Sequence, residues 1–320
     1  MAEPPYGVIA SLLRKGKVVP FLGAGVNFGM RKTPDATWDK KSSTFLPSGA
    51  ELSRLLAKDS GFPKDKDAAG AEKTNDAPPD LAKVASYYVE ATGRDVLRDE
   101  LKEIFNREFE PCDIHHYLAQ DITVPVLVVT TNYDDLTEQA FRKAGKPFDL
   151  VVHPTDREEC KASVLWWPHG ESDPQVVQPN QLIIDLETTS VIYKMHGTID
   201  RQQDKWHSYV ITEEDYVDFL SRMTGQTAVP AHFIQHFRTH HFLFMGYGLN
   251  DWNLRVVLKN LRANLSSSGA DEEDQRRSLR SWAIQFSPTE LEMDLWKSRD
   301  VNIYDVDINE FVKRLREHSG

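Results

Sequence analysis

Apolar residues in this chain cluster in short runs that stop abruptly at glycine, at threonine–asparagine or at histidine, and these runs alternate with stretches of helical spacing. Val18 to Leu22 is a compact β-rich run closed by Gly23 and predicts a first buried strand. Leu52, Leu55 and Leu56 follow Pro47-Ser48-Gly49 at helical spacing, with the serine in the capping position. That leaves a long loop from Val26 to Leu46, and a loop of such length beside a glycine turn is usually functional or mobile. Ser60 to Pro79 is polar, with Lys64-Asp65-Lys66-Asp67 and then Pro78-Pro79, and reads as a flexible surface segment. Leu81, Val84 and Tyr88, then Val96, Leu97, Leu101, Ile104 and Phe105, carry two further helices. Residues 49–120 therefore read as a helical insertion, placed to cap a cleft, within one domain covering 1–320.

From Val124 onward the two periods alternate. Strands are expected at Val126–Val129, Leu150–Val152, Leu182–Leu186, Val191–Met195, Phe242–Met245, Trp282–Phe286 and Val301–Val306. Helices are expected at Asp134–Ala144, Glu213–Met223, Ala231–Arg238, Asn250–Leu265, Pro288–Lys297 and the C-terminus. This rhythm predicts an α/β fold: a doubly wound, mostly parallel, Rossmann-like sheet carrying the inserted helical cap subdomain.

Composition narrows the chemistry. A chain of 320 residues with 40% hydrophobic content can bury a real core, and its net charge of −11 is spread without a lysine or arginine block. Direct nucleic-acid binding by this chain alone is not expected. Cys112 and Cys160 are too few and too distant in sequence for a zinc ribbon or a disulfide framework, which fits a reducing cytoplasm, and no metal site is expected. The N-terminus has neither a basic start nor a long apolar segment, and no window approaches ~18 uninterrupted apolar residues, so a soluble, unprocessed chain with no membrane partner is expected.

Four strand ends carry the candidate chemistry. Gly23-Ala24-Gly25 lets the backbone come close to a pyrophosphate, or is simply a tight structural turn; Phe28 stands where a dinucleotide fingerprint would have its third glycine. Thr130-Thr131-Asn132-Tyr133-Asp134 offers an amide that both donates and accepts, suited to a ribose hydroxyl and a water together, or a plain turn asparagine with Asp134 as helix cap. His196-Gly197 is the one of eleven histidines set apart at a strand end, where an imidazole can act as general base. Gly246-Tyr247-Gly248-Leu249-Asn250-Asp251 repeats the glycine turn and helix cap, equally an ordinary strand-to-helix turn. Trp166-Trp167 reads either as an interface anchor or as part of the protein's own core.

In order and spacing these segments resemble the sirtuin superfamily, in particular its prokaryotic-type NAD-consuming branch, across Val18 to Asp251. Sirtuins carry a Gly-Ala-Gly-x-Ser turn, matched by Gly23-Ala24-Gly25-Val26-Asn27 with asparagine in place of serine. Their Thr-x-Asn-x-Asp segment, their histidine before glycine and their later glycine turn are matched by Thr130 to Asp134, His196-Gly197 and Gly246-Tyr247-Gly248. The four-cysteine zinc module of protein deacylases is missing, so the resemblance implies cleavage of NAD+ to nicotinamide and ADP-ribose rather than acyl-lysine chemistry. It further implies a gated NAD-depleting effector of antiphage defence. Asn132 and His196 would be its catalytic residues; Gly23, Ala24, Gly25, Val26, Asn27, Thr131, Asp134, Gly246, Gly248 and Asn250 would bind the dinucleotide. NAD+ is then substrate, with no further cofactor. Control would come from homo-oligomerisation or a separately encoded regulator such as a HerA-type ATPase or a nucleic-acid-sensing protein. A non-catalytic NAD or ADP-ribose sensor, or an assembly-forming scaffold, remains the alternative.

Overall fold

The computed structural model describes residues 3–31, 33, 36–63, 78–154, 160, 162–200, 203–224, 228–247, 279–297 and 300–318. Along the chain run α1 (Tyr6–Arg14), β1 (Val18–Leu22), a 3-10 helix (Ala24–Met30), α2 (Gly49–Ser60), α3 (Leu81–Thr92) and α4 (Arg94–Phe105). Then come α5 (Asp113–His116) with a π-helical turn (Tyr117–Asp121), β2 (Leu127–Thr130), α6 (Leu136–Lys143), β3 (Phe148–Val152), β4 (Val164–Trp167) and β5 (Gln175–Val177). The C-terminal part holds β6 (Ser190–Lys194), β7 (Gly197–Thr198), β8 (Ser208–Tyr209), α7 (Glu213–Thr224), α8 (Ala231–Phe237) and β9 (His241–Met245). It closes with β10 (Ser281–Gln285), α9 (Glu290–Lys297), β11 (Val301–Asp305) and α10 (Ile308–Glu317).

Nine of the described strands build the main sheet in the order β11-β10-β9-β1-β2-β6-β3-β4-β5, and β7 and β8 form a separate antiparallel pair. Every pairing from β11 to β3 is parallel, and at the edge β4 pairs antiparallel with both β3 and β5. β1 and β6 are buried at all five positions, as strands covered on both faces must be. Alternate side chains feed two cores: Val19, Phe21, Phe242 and Phe244 pack with Phe219 and Phe233 of α7 and α8, while Val18, Leu22, Leu243 and Met245 pack with Ile9, Phe141 and Phe311 of α1, α6 and α10. Helices on both faces of a mostly parallel sheet make the fold a doubly wound, Rossmann-like α/β fold, as the alternating pattern predicts.

A third core cluster joins Leu52, Leu56, Val84, Tyr88, Leu97, Leu101 and Phe105 of α2–α4 with Leu136, Ile199, Tyr209 and Ile211 at the sheet's upper rim. Ile114, Tyr117 and Leu118, the last part of the 49–120 stretch, pack instead against the sheet. The Val26–Leu46 stretch opens with the 3-10 helix and is tied to α2 by Glu51, which accepts from Arg31, from Trp38 N and from Ser48 N, the last completing a capping box, and to α4 by Lys40, which pairs with Glu100 and Glu103. Burial opposes ionisation of Glu51, yet these donors together hold its carboxyl down to about 2.

The strand expected at Leu182–Leu186 is not there. Leu182, Ile184 and Leu186 are buried and Ile183 is 82% exposed, so the alternation is real. The backbone instead turns on itself through Leu182 N to Gln178 O and Thr189 N to Asp185 O, because β3 is already flanked by β6 and β4. The helix at 134–144 begins at Leu136. Helix α1 and the antiparallel pair β4–β5 have no counterpart in the pattern read from the sequence. Trp166 donates to Asp149 at 2.8 Å and Trp167 meets Trp206 edge-on, so this pair is half-buried against the protein's own interior. The helix expected over 250–265 and most of the polar 60–79 segment lie outside the described residues.

Candidate functional site

One row of residues crosses the sheet at the carboxyl ends of its strands. Ile284 pairs with Met245, Met245 with Leu22, Leu22 with Thr130, and Thr130 with Lys194. Each candidate segment begins just beyond this row. The chain leaves β1 for β2 on one side and returns as β9 on the other, so the Gly23 and Gly246 turns flank the topological switch point, where open α/β sheets form their ligand crevice.

Glycine at these turns is demanded by backbone against backbone. A Cβ on Gly23 or Gly25 would stand 2.6 or 2.8 Å from Gly246 O, and one on Gly246, whose φ is +74°, would stand 2.2 Å from Val26 N. The amides of Gly23, Gly25 and Val26 are already donated to Met245 O, Gly246 O and Gly23 O. Gly23 and the fully buried Val26 lie behind the crevice rather than in its wall. Ala24, Gly25, Asn27, Thr131, Asn132, Asp134, His196 and Gly246 all line it, whereas Gly248 and Asn250 lie outside the described residues. The cleft has a volume of about 580 Å³, within the range of small-molecule sites.

The Asn132 loop is held from three directions. Its own amide N–H donates to Thr130 Oγ1 at 3.0 Å, and its side-chain Nδ2 donates to Gly23 O at 3.3 Å, leaving the buried Oδ1 without a protein partner. Asn27, where sirtuins have serine, donates from Nδ2 to Asp134 Oδ2 at 3.1 Å and so ties the first segment to the second. Asp134 also accepts from Leu136 N; the N-cap position of α6 is Asp135. Burial is the main cause that lifts the Asp134 carboxyl to about 6, with Lys194 opposing it. Beneath the loop, the fully buried Lys194 donates to Glu138 Oε1 at 2.9 Å and to the carbonyls of Tyr133 and Asp134.

His196 is 6% exposed, and its Nε2 has no protein partner. Its ring stands edge-on to Tyr216 and Phe219, each at 5.3 Å between centroids. Burial pushes its pKa down to about 3, so the imidazole is neutral at pH 7. Gly197, at φ +88°, lets the chain pass within van der Waals contact of Ser208, and Val210 N returns to His196 O at 3.0 Å. Asn132 Oδ1 and His196 Nε2 are thus two buried polar atoms without a protein partner, on residues that line one cleft.

Tyr216, Tyr247, Phe28, Gln285 and Phe286 also line the cleft. Tyr247 OH donates to Leu22 O at 3.1 Å, Gln285 Oε1 is buried without a partner, and Phe28 and Phe286 are 48% and 69% exposed at the rim. The strand-end rule that singles out His196 would also have found Gln285, since it ends β10. Tyr216 sits within a helix and carries no such signal.

Residues 126–304 match the family model of the SIR2-like domain, and the chain belongs to that family. It is 27% identical over 203 residues to a protein named NAD(+) hydrolase ThsA from Acinetobacter baumannii, covering 62% of this chain and 33% of that one. A protein of the same name from Enterococcus faecium is 30% identical over 188 residues, covering 57% of this chain and 32% of that one. Defense-associated sirtuin 2 of Bacillus subtilis is 24% identical over 254 residues, covering 78% of this chain and 20% of that one. The chain therefore spans about a third or less of the length of these curated relatives. Among the described residues no three histidine, cysteine, aspartate or glutamate side chains lie placed to hold a metal ion, and no helix is long and apolar enough to cross a membrane.

Proposed function

We propose that this chain hydrolyses NAD+ to nicotinamide and ADP-ribose. The observation that carries the reading is the pair of buried, unpartnered polar atoms, Asn132 Oδ1 and His196 Nε2, on residues beyond two strand ends that line one cleft at the switch point. Relatives named as NAD(+) hydrolases support it at the level of the family.

In this reading the bond between ribose C1′ and the nicotinamide nitrogen breaks, and its electron pair leaves with a neutral nicotinamide. Positive charge builds on the ribose, as in an oxocarbenium-like glycoside cleavage. Asn132 orients the ribose and the attacking water; the water oxygen bonds to C1′ and gives its proton to His196 Nε2. A weakly basic imidazole accepts that proton late, when the attacking oxygen has become strongly acidic, and the substrate's phosphates raise its affinity for it. Ala24, Gly25, Asn27 and Gly246 form the surface for the diphosphate, with Gly23 and Val26 acting from behind by shaping the turn. Thr131 and Asp134 lie on the ribose side, and Gly248 and Asn250 extend the Gly246 turn.

The biological role in this reading is that of a gated NAD-depleting effector in antiphage defence, in line with the relative named a defense-associated sirtuin. Homo-oligomerisation, or a separate regulator such as a HerA-type ATPase or a nucleic-acid-sensing protein, would move the α2–α4 region over the cleft. Chromatography of nicotinamide released by the wild type and by Asn132→Ala tests the chemistry; turnover by Asn132→Ala equal to the wild type would remove Asn132 from it. One observation favours a second reading. Burial holds His196 near 3, a low basicity for a general base, and tight NAD binding without turnover would identify a sensor instead.

A further inference from the structure

Helix α4 shares an apolar cluster with Ile199, Tyr209 and Ile211, and beside that packing one polar side chain reaches the segment around His196. Arg94, the first residue of α4, forks: Nη1 pairs with Asp215 Oδ2 at 2.8 Å, and Nη2 donates to Tyr209 O at 2.9 Å. The two ends of this fork lead to the two supports of His196. On one side Asp215 Oδ2 also accepts from Ile211 N and Thr212 N at 3.0 and 2.9 Å, fixing the start of α7, and the next residue, Tyr216, presents its ring to the imidazole. On the other side Tyr209 precedes Val210, whose N–H holds His196 O at 3.0 Å and whose carbonyl accepts from Tyr133 OH at 2.7 Å, next to Asn132 in the chain.

We infer that Arg94 and Asp215 are positioning residues, which lock the His196 imidazole and the Asn132 loop into register with one another. The inference rests on the hydrolase reading for its kinetic consequence and on geometry alone for its structural one. A planar guanidinium can bridge a carboxylate and a carbonyl at once; an ammonium on the same stem cannot span both. Arg94 is also the polar link through which a displacement of α4 would reach both supports of the histidine, beside the apolar cluster that α4 shares with Tyr209 and Ile211. Ser86 of α3, which accepts from Glu213 N at 2.9 Å and donates to Glu214 at 2.9 Å, joins α3 to the same first turn of α7 without bonding to Arg94, Asp215 or Tyr209.

The test reads position and chemistry separately. Two-dimensional imidazole NMR of the purified chain follows the His196 ring, assigned by its loss in His196→Ala, between pH 4 and 8. Phe219, Tyr216 and the neighbouring His153 surround that ring, so in the wild type it stays neutral throughout this range. In Arg94→Ala the start of α7 loosens, water reaches the ring, and its titration rises toward the ordinary histidine range of about 6.5. Arg94→Lys shows an intermediate shift, and Ser86→Ala none. In nicotinamide release, Arg94→Ala lowers kcat by on the order of 10²-fold while KM stays within a few-fold, because catalytic geometry rather than binding is lost. A His196 resonance unmoved in Arg94→Ala, or moved equally in Ser86→Ala, overturns the inference. Absence of nicotinamide release from every variant including the wild type would bear on the hydrolase reading and its gating alone, and leave the NMR result to decide the positioning role.

Discussion

Replacing Lys194 by methionine tests how the Asn132 loop is supported. The ammonium is fully buried and spends its donors on Glu138 Oε1, Tyr133 O and Asp134 O. Methionine fills similar volume but leaves the Glu138 carboxylate, 2% exposed and already lacking a partner on Oε2, with neither oxygen satisfied. Removing one member of a buried pair costs about 3–5 kcal/mol, a large share of a total that is typically ~5–15 kcal/mol. Lys194→Met combined with Glu138→Leu should recover most of the stability, leaving only Asp134 O without its donor, since Tyr133 O keeps Ile199 N at 3.0 Å. A loss below about 1 kcal/mol for Lys194→Met, or no recovery in the double variant, would refute the claim that this pair braces the loop.

Gly246→Ala should destabilise by more than about 3 kcal/mol, since its Cβ would collide with Val26 N at a positive φ; Gly61→Ala, at φ +68° with nothing within 4 Å, should cost only about 1 kcal/mol. Thermal melts of the two variants check the order. Asp134→Asn tests a pH dependence. The folded carboxyl, at about 6, sits above its ordinary 3.8, so ionisation burdens the fold fully above pH 6 and not at all below pH 3.8. The variant should therefore exceed the wild type by up to about 3 kcal/mol at pH 7, with the advantage shrinking as pH falls through 6 to 4. Denaturation curves at pH 4 and 7 measure it, and an advantage that grows toward acid would contradict the assignment.

The sheet and its order of events are legible in the chain because parallel strands buried on both faces are written as unbroken apolar runs, as in Val18 to Leu22 and Phe242 to Met245. The same rule fails at Leu182–Leu186, whose alternation records burial of one face without any pairing. It also fails at β5, whose three residues, mostly exposed at the sheet edge, carry almost no pattern. At the site, strand-end polar residues gave away Asn132 and His196, and the structure brings them to one cleft. The glycines owe their identity to the contact between the Gly23 and Gly246 turns, across more than two hundred residues of sequence, which local reasoning assigns to a ligand. Arg94 is hidden for the same reason: at the head of an ordinary charged helix, nothing nearby in sequence announces Asp215 or Tyr209.

The central claim is that His196 takes part in cleaving NAD+. Purified protein at several concentrations, incubated with NAD+ beside the His196→Ala variant, should release nicotinamide and ADP-ribose in equal amounts by chromatography. Turnover should fall by about 10²-fold or more in the variant. Equal turnover by both proteins would contradict the account.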